Sequence, residues 1–152
     1  MVVDTMQLIL DKIRHGAGQI EERAVEDLLQ LLSAEPNTFV YGAGRSGLVG
    51  RAFAMRLMHL GLTVHVVGEA TTPSIDQGDV LILISGSGET PSVRVVADEA
   101  KRRGARTVGI IGKAVSSVGR ASNLIVILPS HIERSGDEGM RPVRAFRVEN
   151  GC

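Results

Sequence analysis

Apolar residues recur at three- and four-residue spacing through the first part of the chain. This spacing is typical of amphipathic helices and predicts two of them, over residues 1–15 and 20–34. The dipeptide Glu35-Pro36 ends the second helix, because a residue before proline avoids helical dihedral angles. The same period predicts three further helices, over residues 44–61, 89–103 and 116–122.

Short runs rich in branched apolar residues alternate with the later helices and predict β-strands. The strands are predicted over residues 38–41, 63–67, 80–84, 107–111 and 123–128. Every residue from 80 to 84 is apolar, as expected of a central strand that helices cover on both faces. The alternation therefore predicts an α/β fold: a doubly wound five-stranded parallel sheet flanked by helices, preceded by two N-terminal helices.

The pattern ends near Pro129, and residues 130–152 are polar, charged and interrupted by glycine and proline. We divide the chain into N-terminal helices over residues 1–35, which pack on the domain or on a partner subunit, an α/β core over 36–129 and an irregular tail over 130–152. A covering helix normally follows the last strand of such a sheet. A truncated chain, a changed reading frame and a divergent domain would each explain the lack of one.

Composition narrows the class of protein. The 152 residues carry 17 Lys and Arg against 17 Asp and Glu, and aromatic residues make up only 3%. The chain therefore lacks the basic field and the stacking side chains with which proteins bind nucleic acid. No apolar run approaches the ~20 residues of a membrane span, so we expect a cytoplasmic protein. Four scattered histidines and the single Cys152 show no metal-ligand spacing.

A glycine-rich segment, which we term the first loop (residues 42–47), follows the first predicted strand and precedes a helix. Its sequence is Gly42-Ala43-Gly44-Arg45-Ser46-Gly47. Glycines at this place permit a tight turn, while the amides and dipole of the helix N-terminus attract an anion such as phosphate. The same spacing occurs in dinucleotide-binding folds, where an acid after the second strand holds the ribose, and Glu69 occupies that place. A third interpretation is that the glycines serve only the turn.

Residues 85–90, which we term the second loop, follow the predicted central strand and open another helix. Their sequence is Ser85-Gly86-Ser87-Gly88-Glu89-Thr90. Three hydroxyls beside the amides of a helix N-terminus suit the oxygens of a single phosphate. Because the carboxyl ends of parallel strands lie at one edge of a sheet, we expect the two loops to bind one ligand together. The alternative is that Ser87 merely caps the helix, with Glu89 and Thr90 in its first turn.

The two loops together resemble those of the sugar isomerase (SIS) domain family. Residues 43–47 (AGRSG) and 51–61 (RAFAMRLMHLG) are similar to the 6-phospho-3-hexuloisomerase branch, as are Val67-Gly68-Glu69 and Thr72-Pro73. The resemblance implies a flavodoxin-like fold and isomerisation of 3-hexulose 6-phosphate to fructose 6-phosphate, in formaldehyde fixation by the ribulose monophosphate route or in reverse for pentose phosphate supply. It also implies no metal, no redox cofactor and a homo-oligomer, a dimer or tetramer, with sites near subunit boundaries.

The resemblance also implies which residues bind the substrate. The family's phosphate and substrate contacts fall on the following positions of this chain: Ser46, Ser85, Gly86, Ser87, Gly88, Glu89 and Thr90. Arg45 is a further candidate cation. The reaction passes through an enediolate and needs a general base, which in the family is the glutamate of a Gly-x-x-Phe-Glu pattern. That pattern is absent here, because Arg147 follows Phe146. The remaining candidates for the base are His59, Glu138 and Glu149.

Three hypotheses about function follow. The favoured one is a sugar-phosphate ketose isomerase that uses an enediolate and whose partner is a small-molecule sugar phosphate. The second is a non-catalytic sugar-phosphate-binding module, or an inactive fragment without the catalytic glutamate, which binds the ligand without turnover. The third is a dinucleotide-binding protein, and the second loop argues against it because such a fold has no use for a second phosphate site.

Overall fold

The computed structural model describes residues 1–34 and 37–129, which form five helices and five strands. The helices are α1 (Val2–Ala17), α2 (Glu22–Ala34), α3 (Gly44–His59), α4 (Pro91–Arg102) and α5 (Ser117–Ala121). The strands are β1 (Thr38–Gly42), β2 (Val64–Val66), β3 (Val80–Ser85), β4 (Arg106–Ile111) and β5 (Leu124–Ile127). The tail predicted over 130–152, with the candidate bases Glu138 and Glu149, lies outside the described residues.

The five strands form one sheet in the order β2-β1-β3-β4-β5, and every neighbouring pair is parallel. The predicted doubly wound α/β fold is therefore confirmed, with β3 at the centre as its unbroken apolar run indicated. The order reverses at β1 and β3, because the chain runs outward to β2 after β1 and then returns past β1 to β3. A crevice opens at such a point, outside the carboxyl ends of the two strands.

Alternate residues of the strands point to opposite faces of the sheet and build two cores. On one face, Val40, Ile82 and Val108 pack with residues of α2 and α3. On the other face, Phe39 and Leu83 pack with residues of α4 and α5. Each fully buried Val, Leu or Phe stabilises the fold by about 1.5–3 kcal/mol relative to an exposed one. Because α3 and α4 lie on opposite faces, the loops that lead into them border the crevice from both sides.

The two N-terminal helices differ in how they pack. Helix α2 lies on the sheet with Ala24, Leu28 and Leu32 buried. Helix α1 buries none of its residues, although six of its apolar side chains form one continuous band along it. We term this band the α1 stripe, and its members are Val2, Val3, Met6, Ile9, Leu10 and Ile13. None of the helices among the described residues is long and apolar enough to cross a bilayer.

Helix α4 begins later than its sequence pattern predicted. The period predicted a start at Glu89, whereas the helix begins at Pro91 with Thr90 as its N-cap residue. Proline suits the first position of a helix because its missing N–H has no partner there in any case. Residues 88–90 therefore belong to the loop, and their side chains and backbone can contact a ligand or neighbouring elements.

Candidate functional site

The first and second loops begin side by side at the reversal point of the sheet. In the register of β1 and β3, Gly42 pairs with Ile84, the residue directly before Ser85. Neighbouring strands lie about 4.8 Å apart, so both loops leave the sheet at the same height and at adjacent places. The predicted meeting of the two loops at one crevice follows from this pairing.

The first loop folds back closely on itself. A methyl group on Gly47 would lie 2.7 Å from the carbonyl oxygen of Gly42, and a methyl group on Gly42 would lie 2.9 Å from the backbone of Ser46. Both distances are shorter than real side-chain contacts, so larger residues would push the loop open. This tight turn brings the first amides of α3 to the crevice, and the N-cap residue Ala43 makes no side-chain hydrogen bond to them. These amides can therefore bind an anion.

The polar side chains of the first loop remain available to a ligand. Ser46 is half-buried, and its hydroxyl makes no hydrogen bond within the described part of the chain. Arg45 is exposed and forms no ion pair with the described residues. A cavity of about 340 Å³ lies beside the loop and is lined by Gly44, Gly47 and Arg51 together with residues of β1 and the end of β2.

The hydroxyls of the second loop divide into an inner pair and an outer one. Ser85 is 1% exposed, and its Oγ lies 2.9 Å from Thr90 Oγ1 and accepts a hydrogen bond of 3.1 Å from Gly88 N. Ser87 is exposed, and its Oγ accepts a hydrogen bond of 3.2 Å from Glu89 N. The alternative that Ser87 caps α4 is wrong, because the bond is made within the loop, before the helix begins.

The carboxylate of Glu89 is directed at helix α5. Its Oε1 accepts a hydrogen bond of 3.0 Å from the backbone N–H of Ser117, at the start of α5. The Ser117 hydroxyl donates to the carbonyl oxygen of Gly88 at 3.1 Å, and Val118 N donates to the same oxygen at 2.9 Å. The pKa of Glu89 is lowered, most strongly by its interaction with the Ser117 side chain and next by the hydrogen bond from the Ser117 backbone. The carboxylate thus ties the loop to α5, whereas the resemblance implied a contact with substrate.

Ser117 was not singled out by the sequence analysis, although it holds both Gly88 and Glu89. Its backbone carbonyl accepts a further hydrogen bond of 2.8 Å from Nη1 of Arg94 on α4, and Arg94 also pairs with Asp98 at 2.8 Å. The signal available in the sequence was positional. Ser117 opens the helix that follows β4, and β4 is the neighbour of β3 in a doubly wound order.

Glu89→Gln is expected to make the stability of the protein less sensitive to acid. Since the pKa of Glu89 is lowered by folding, its ionised form stabilises the folded state above the ordinary pKa of the unfolded chain. That contribution is lost as pH falls through the lowered pKa. Thermal unfolding midpoints measured from about pH 6 to about pH 3 should fall less for Glu89→Gln than for the unsubstituted protein. Glu26→Gln on the exposed face of α2 is the control, and equal acid sensitivity in all three proteins would contradict the role of Glu89.

His59 is the one candidate base among the described residues, and it is not brought to the crevice. His59 lies in the last turn of α3 and is exposed, thirteen residues from Ser46, which on an α-helix corresponds to about 20 Å. It is therefore remote from the two loops of its own chain, and its role stays a prediction for contact with another subunit. Glu149 lies outside the described residues, as does Glu138.

Glu69 also has a partner within the chain. Its Oε1 lies 3.7 Å from Nε of Arg51 on α3, and both side chains are largely exposed. An exposed pair of this kind stabilises the protein by no more than about 1 kcal/mol. In the dinucleotide hypothesis Glu69 would instead accept hydrogen bonds from a ribose. Within residues 1–34 and 37–129, no group of three or more His, Cys, Asp or Glu is placed to hold a metal ion.

Comparison with known proteins gives a consistent result. The model of the SIS domain family matches residues 31–146. The 3-hexulose-6-phosphate isomerase of Mycobacterium gastri is 40% identical over 141 residues, covering 88% of this chain and 71% of that protein. The protein of the same name from Methylomonas aminofaciens is 42% identical over 120 residues, covering 79% and 66%.

A solved structure shows the same likeness in three dimensions. A Methanococcus jannaschii protein, whose crystal structure was taken to imply 3-hexulose-6-phosphate isomerase function, matches with a TM-score of 0.66 and 41% identity. The match covers 70% of this chain and 60% of that one. The chain thus spans between 60% and 71% of the length of these three proteins.

Proposed function

The chain belongs to the SIS domain family, and on that basis we propose that it interconverts 3-hexulose 6-phosphate and fructose 6-phosphate. The observation that carries the proposal is the meeting of the first and second loops where the strand order reverses. The relatives named 3-hexulose-6-phosphate isomerase support a sugar-phosphate isomerase. The pathway would be formaldehyde fixation by the ribulose monophosphate route, or pentose phosphate supply in reverse.

The second loop would hold the phosphate group. Ser87 presents an exposed hydroxyl, and Thr90 is half-buried beside the buried Ser85. The backbone amides at the start of α4 add donors and a favourable dipole. Ser46 would reach the ligand from the other side of the crevice, because the two loops leave adjacent strands. Hydroxyl and amide donors bind a phosphate strongly because one partner is charged.

The isomerisation itself requires proton transfer. In the proposed reaction a base removes a proton from one carbon of the sugar, an enediolate forms, and the proton returns to the neighbouring carbon. No metal or redox cofactor takes part in this step. Among residues 1–34 and 37–129, the carboxylates beside the two loops are those of Glu69, which pairs with Arg51, and Glu89, which accepts a hydrogen bond from Ser117. The base would therefore come from residues 130–152 or from another copy of the chain, such as its His59.

A second candidate function is binding without catalysis. The contacts of Glu69 with Arg51 and of Glu89 with Ser117 support this alternative, because the two loops offer donors for a phosphate while both of these carboxylates already have partners. Such a protein would bind fructose 6-phosphate and leave it unchanged. The sugar phosphate would then act as a signal or as a cargo.

One experiment separates the two functions. Titration calorimetry of the full 152-residue chain with fructose 6-phosphate measures binding, and a coupled assay with 3-hexulose 6-phosphate measures turnover in the same sample. Binding with turnover is expected for the isomerase, and binding without turnover would identify the non-catalytic module. If neither ligand binds, the SIS-type function is contradicted, and binding of a nicotinamide dinucleotide in its place would revive the dinucleotide hypothesis.

Ser87→Ala is expected to weaken the affinity for fructose 6-phosphate by roughly 1–3 kcal/mol, because it removes a charge-assisted hydrogen bond. Calorimetry gives the change directly. Ser33→Ala is the matched control, since Ser33 is an exposed serine of α2 whose hydroxyl bonds to the Leu29 carbonyl far from the crevice. An affinity for Ser87→Ala equal to that of the control would remove Ser87 from the site.

We also propose that the protein is a homo-oligomer in which the α1 stripe lies against another copy of the chain. Its six side chains are between 52% and 76% exposed, and an amphipathic helix normally buries its apolar face. We assign the α1 stripe to contact with a second copy of the chain, because another copy is present wherever the protein is made. A role of His59 in the crevice of another copy would also require a homo-oligomer.

A further inference from the structure

The segment between β4 and α5 forms one surface with the second loop. Gly112 N donates a hydrogen bond of 3.2 Å to the carbonyl oxygen of Gly86, and Val118 N donates to that of Gly88. A methyl group on Gly88 would lie 3.4 Å from the carbonyl oxygen of Lys113. The backbone of Lys113 is therefore directly beside the loop that we assign to the phosphate.

The order of the strands fixes where Lys113 stands relative to Arg45. Arg45 follows β1, the second loop follows β3, and Lys113 follows β4, which are three successive strands of the sheet. At about 4.8 Å per strand, the two cations leave the sheet about 10 Å apart, with the second loop between them. Both are exposed at the carboxyl edge of the sheet.

Two arginines near this edge are paired within the chain. Arg51 pairs with Glu69, and Arg94 pairs with Asp98. Arg45 and Lys113 form no ion pair with the other described residues. The second loop itself provides hydroxyls and amides but no cation, and its one charged group is the carboxylate of Glu89.

A sugar phosphate places about two negative charges on this surface near neutral pH. Hydroxyls and amides can bond to its oxygens, but they do not balance its charge, and a nearby ammonium group does so. Lysine is suited to the task because its flexible four-carbon stem carries a compact point charge with three donors. The exposed position beside Gly88 allows that stem to turn toward the ligand.

We propose that Lys113 binds the phosphate group of the sugar phosphate, as a cation on the side of the second loop opposite Arg45. This assignment rests on the proposed sugar-phosphate site and identifies a binding residue that neither the glycine and serine motifs nor the resemblance includes. Lys113 positions and neutralises the ligand, and the proton transfer is left to other groups.

The test compares three variants of the full chain by titration calorimetry with fructose 6-phosphate. Lys113→Ala is expected to weaken binding about tenfold, and Lys113→Arg to stay close to the unsubstituted protein. Lys101→Ala is the control, because Lys101 is an exposed lysine in the last turn of α4, at the opposite end of the sheet. All three variants should unfold at the same temperature as the parent, since both lysines are exposed.

Two further measurements sharpen the test. The affinity of the unsubstituted protein should fall more steeply with added potassium chloride than that of Lys113→Ala, because salt screens an exposed charge. Inorganic phosphate should show the same loss for Lys113→Ala as fructose 6-phosphate does. A loss with the sugar phosphate but not with inorganic phosphate would overturn the assignment in favour of a sugar contact.

The outcomes also separate this assignment from the function on which it rests. If the unsubstituted chain binds fructose 6-phosphate and Lys113→Ala binds it equally well, the role of Lys113 is overturned and the proposed function stands. If the unsubstituted chain does not bind it at all, both are overturned.

Discussion

Gly88→Ala is expected to abolish sugar-phosphate binding and to lower the free energy of unfolding by about 2–4 kcal/mol. Gly88 has φ of +69°, which an L-residue rarely adopts, and an added methyl group would overlap the side chain of Ser116. The second loop would have to move away from α5, which would break the hydrogen bonds that Ser117 and Val118 make to Gly88. Chemical denaturation measures the stability, and calorimetry with fructose 6-phosphate measures the binding.

Three controls separate the causes of that loss. Gly61→Ala carries the strain of a positive φ, +91°, with no atom within 4 Å of the new methyl group, and should cost only about 1 kcal/mol. Gly86 has no positive φ, and a methyl group added to it would have no atom within 4 Å. Gly86→Ala should therefore leave the stability unchanged. Ser116→Gly combined with Gly88→Ala removes the overlapped side chain and should restore part of the loss. If Gly88→Ala is as stable as Gly86→Ala, the close packing of the loop against α5 is contradicted.

Leu10→Asp is expected to weaken self-association about a hundredfold and to leave separate chains in solution, because it places an unpaired carboxylate in the proposed interface. Sedimentation or light scattering over a range of protein concentrations gives the mass. Leu8→Asp is the matched control. It changes the same residue type at nearly the same exposure, 53% against 52%, but Leu8 lies outside the α1 stripe.

The masses of the parent and of the two variants test whether the α1 stripe is the interface of a homo-oligomer. Loss of association in Leu10→Asp but not in Leu8→Asp supports the α1 stripe as the interface. Equal loss in both would show that any charge on α1 is harmful and that the stripe has no special role. A parent protein that is a single chain at all concentrations would contradict the proposed oligomer outright.

The elements of this fold could be predicted from the sequence because their signals are local. The apolar run of β3 and the helical period of α3 each depend on neighbours within a turn or a strand, and both elements were found close to their observed bounds. Because the predicted strands are parallel, both loops were expected at one edge of the sheet, and this expectation required no distances. The strand order β2-β1-β3-β4-β5 agrees with that expectation.

The direction of Glu89 could not be predicted in the same way. Its partner Ser117 is 28 residues further along the chain, and the spacing of apolar residues carries no information about such a contact. The pattern instead placed Glu89 in the first turn of α4. The role of Lys113 was hidden for the same reason, since the lysine comes to the second loop only through the pairing of β3 with β4. Local pattern identified the loops, and tertiary contact decides what their side chains do.

The place of β1 between β2 and β3 also determines when the sheet can close while the chain is being synthesised. One edge of β1 pairs with β2, but the other pairs with β3, which comes about 40 residues later. At a translation rate of about 5–20 residues per second, roughly 2–8 s pass between the emergence of β1 and that of β3. Throughout that interval one edge of the nascent β1 has no strand of its own sheet to pair with, and this edge is open to pairing with another polypeptide.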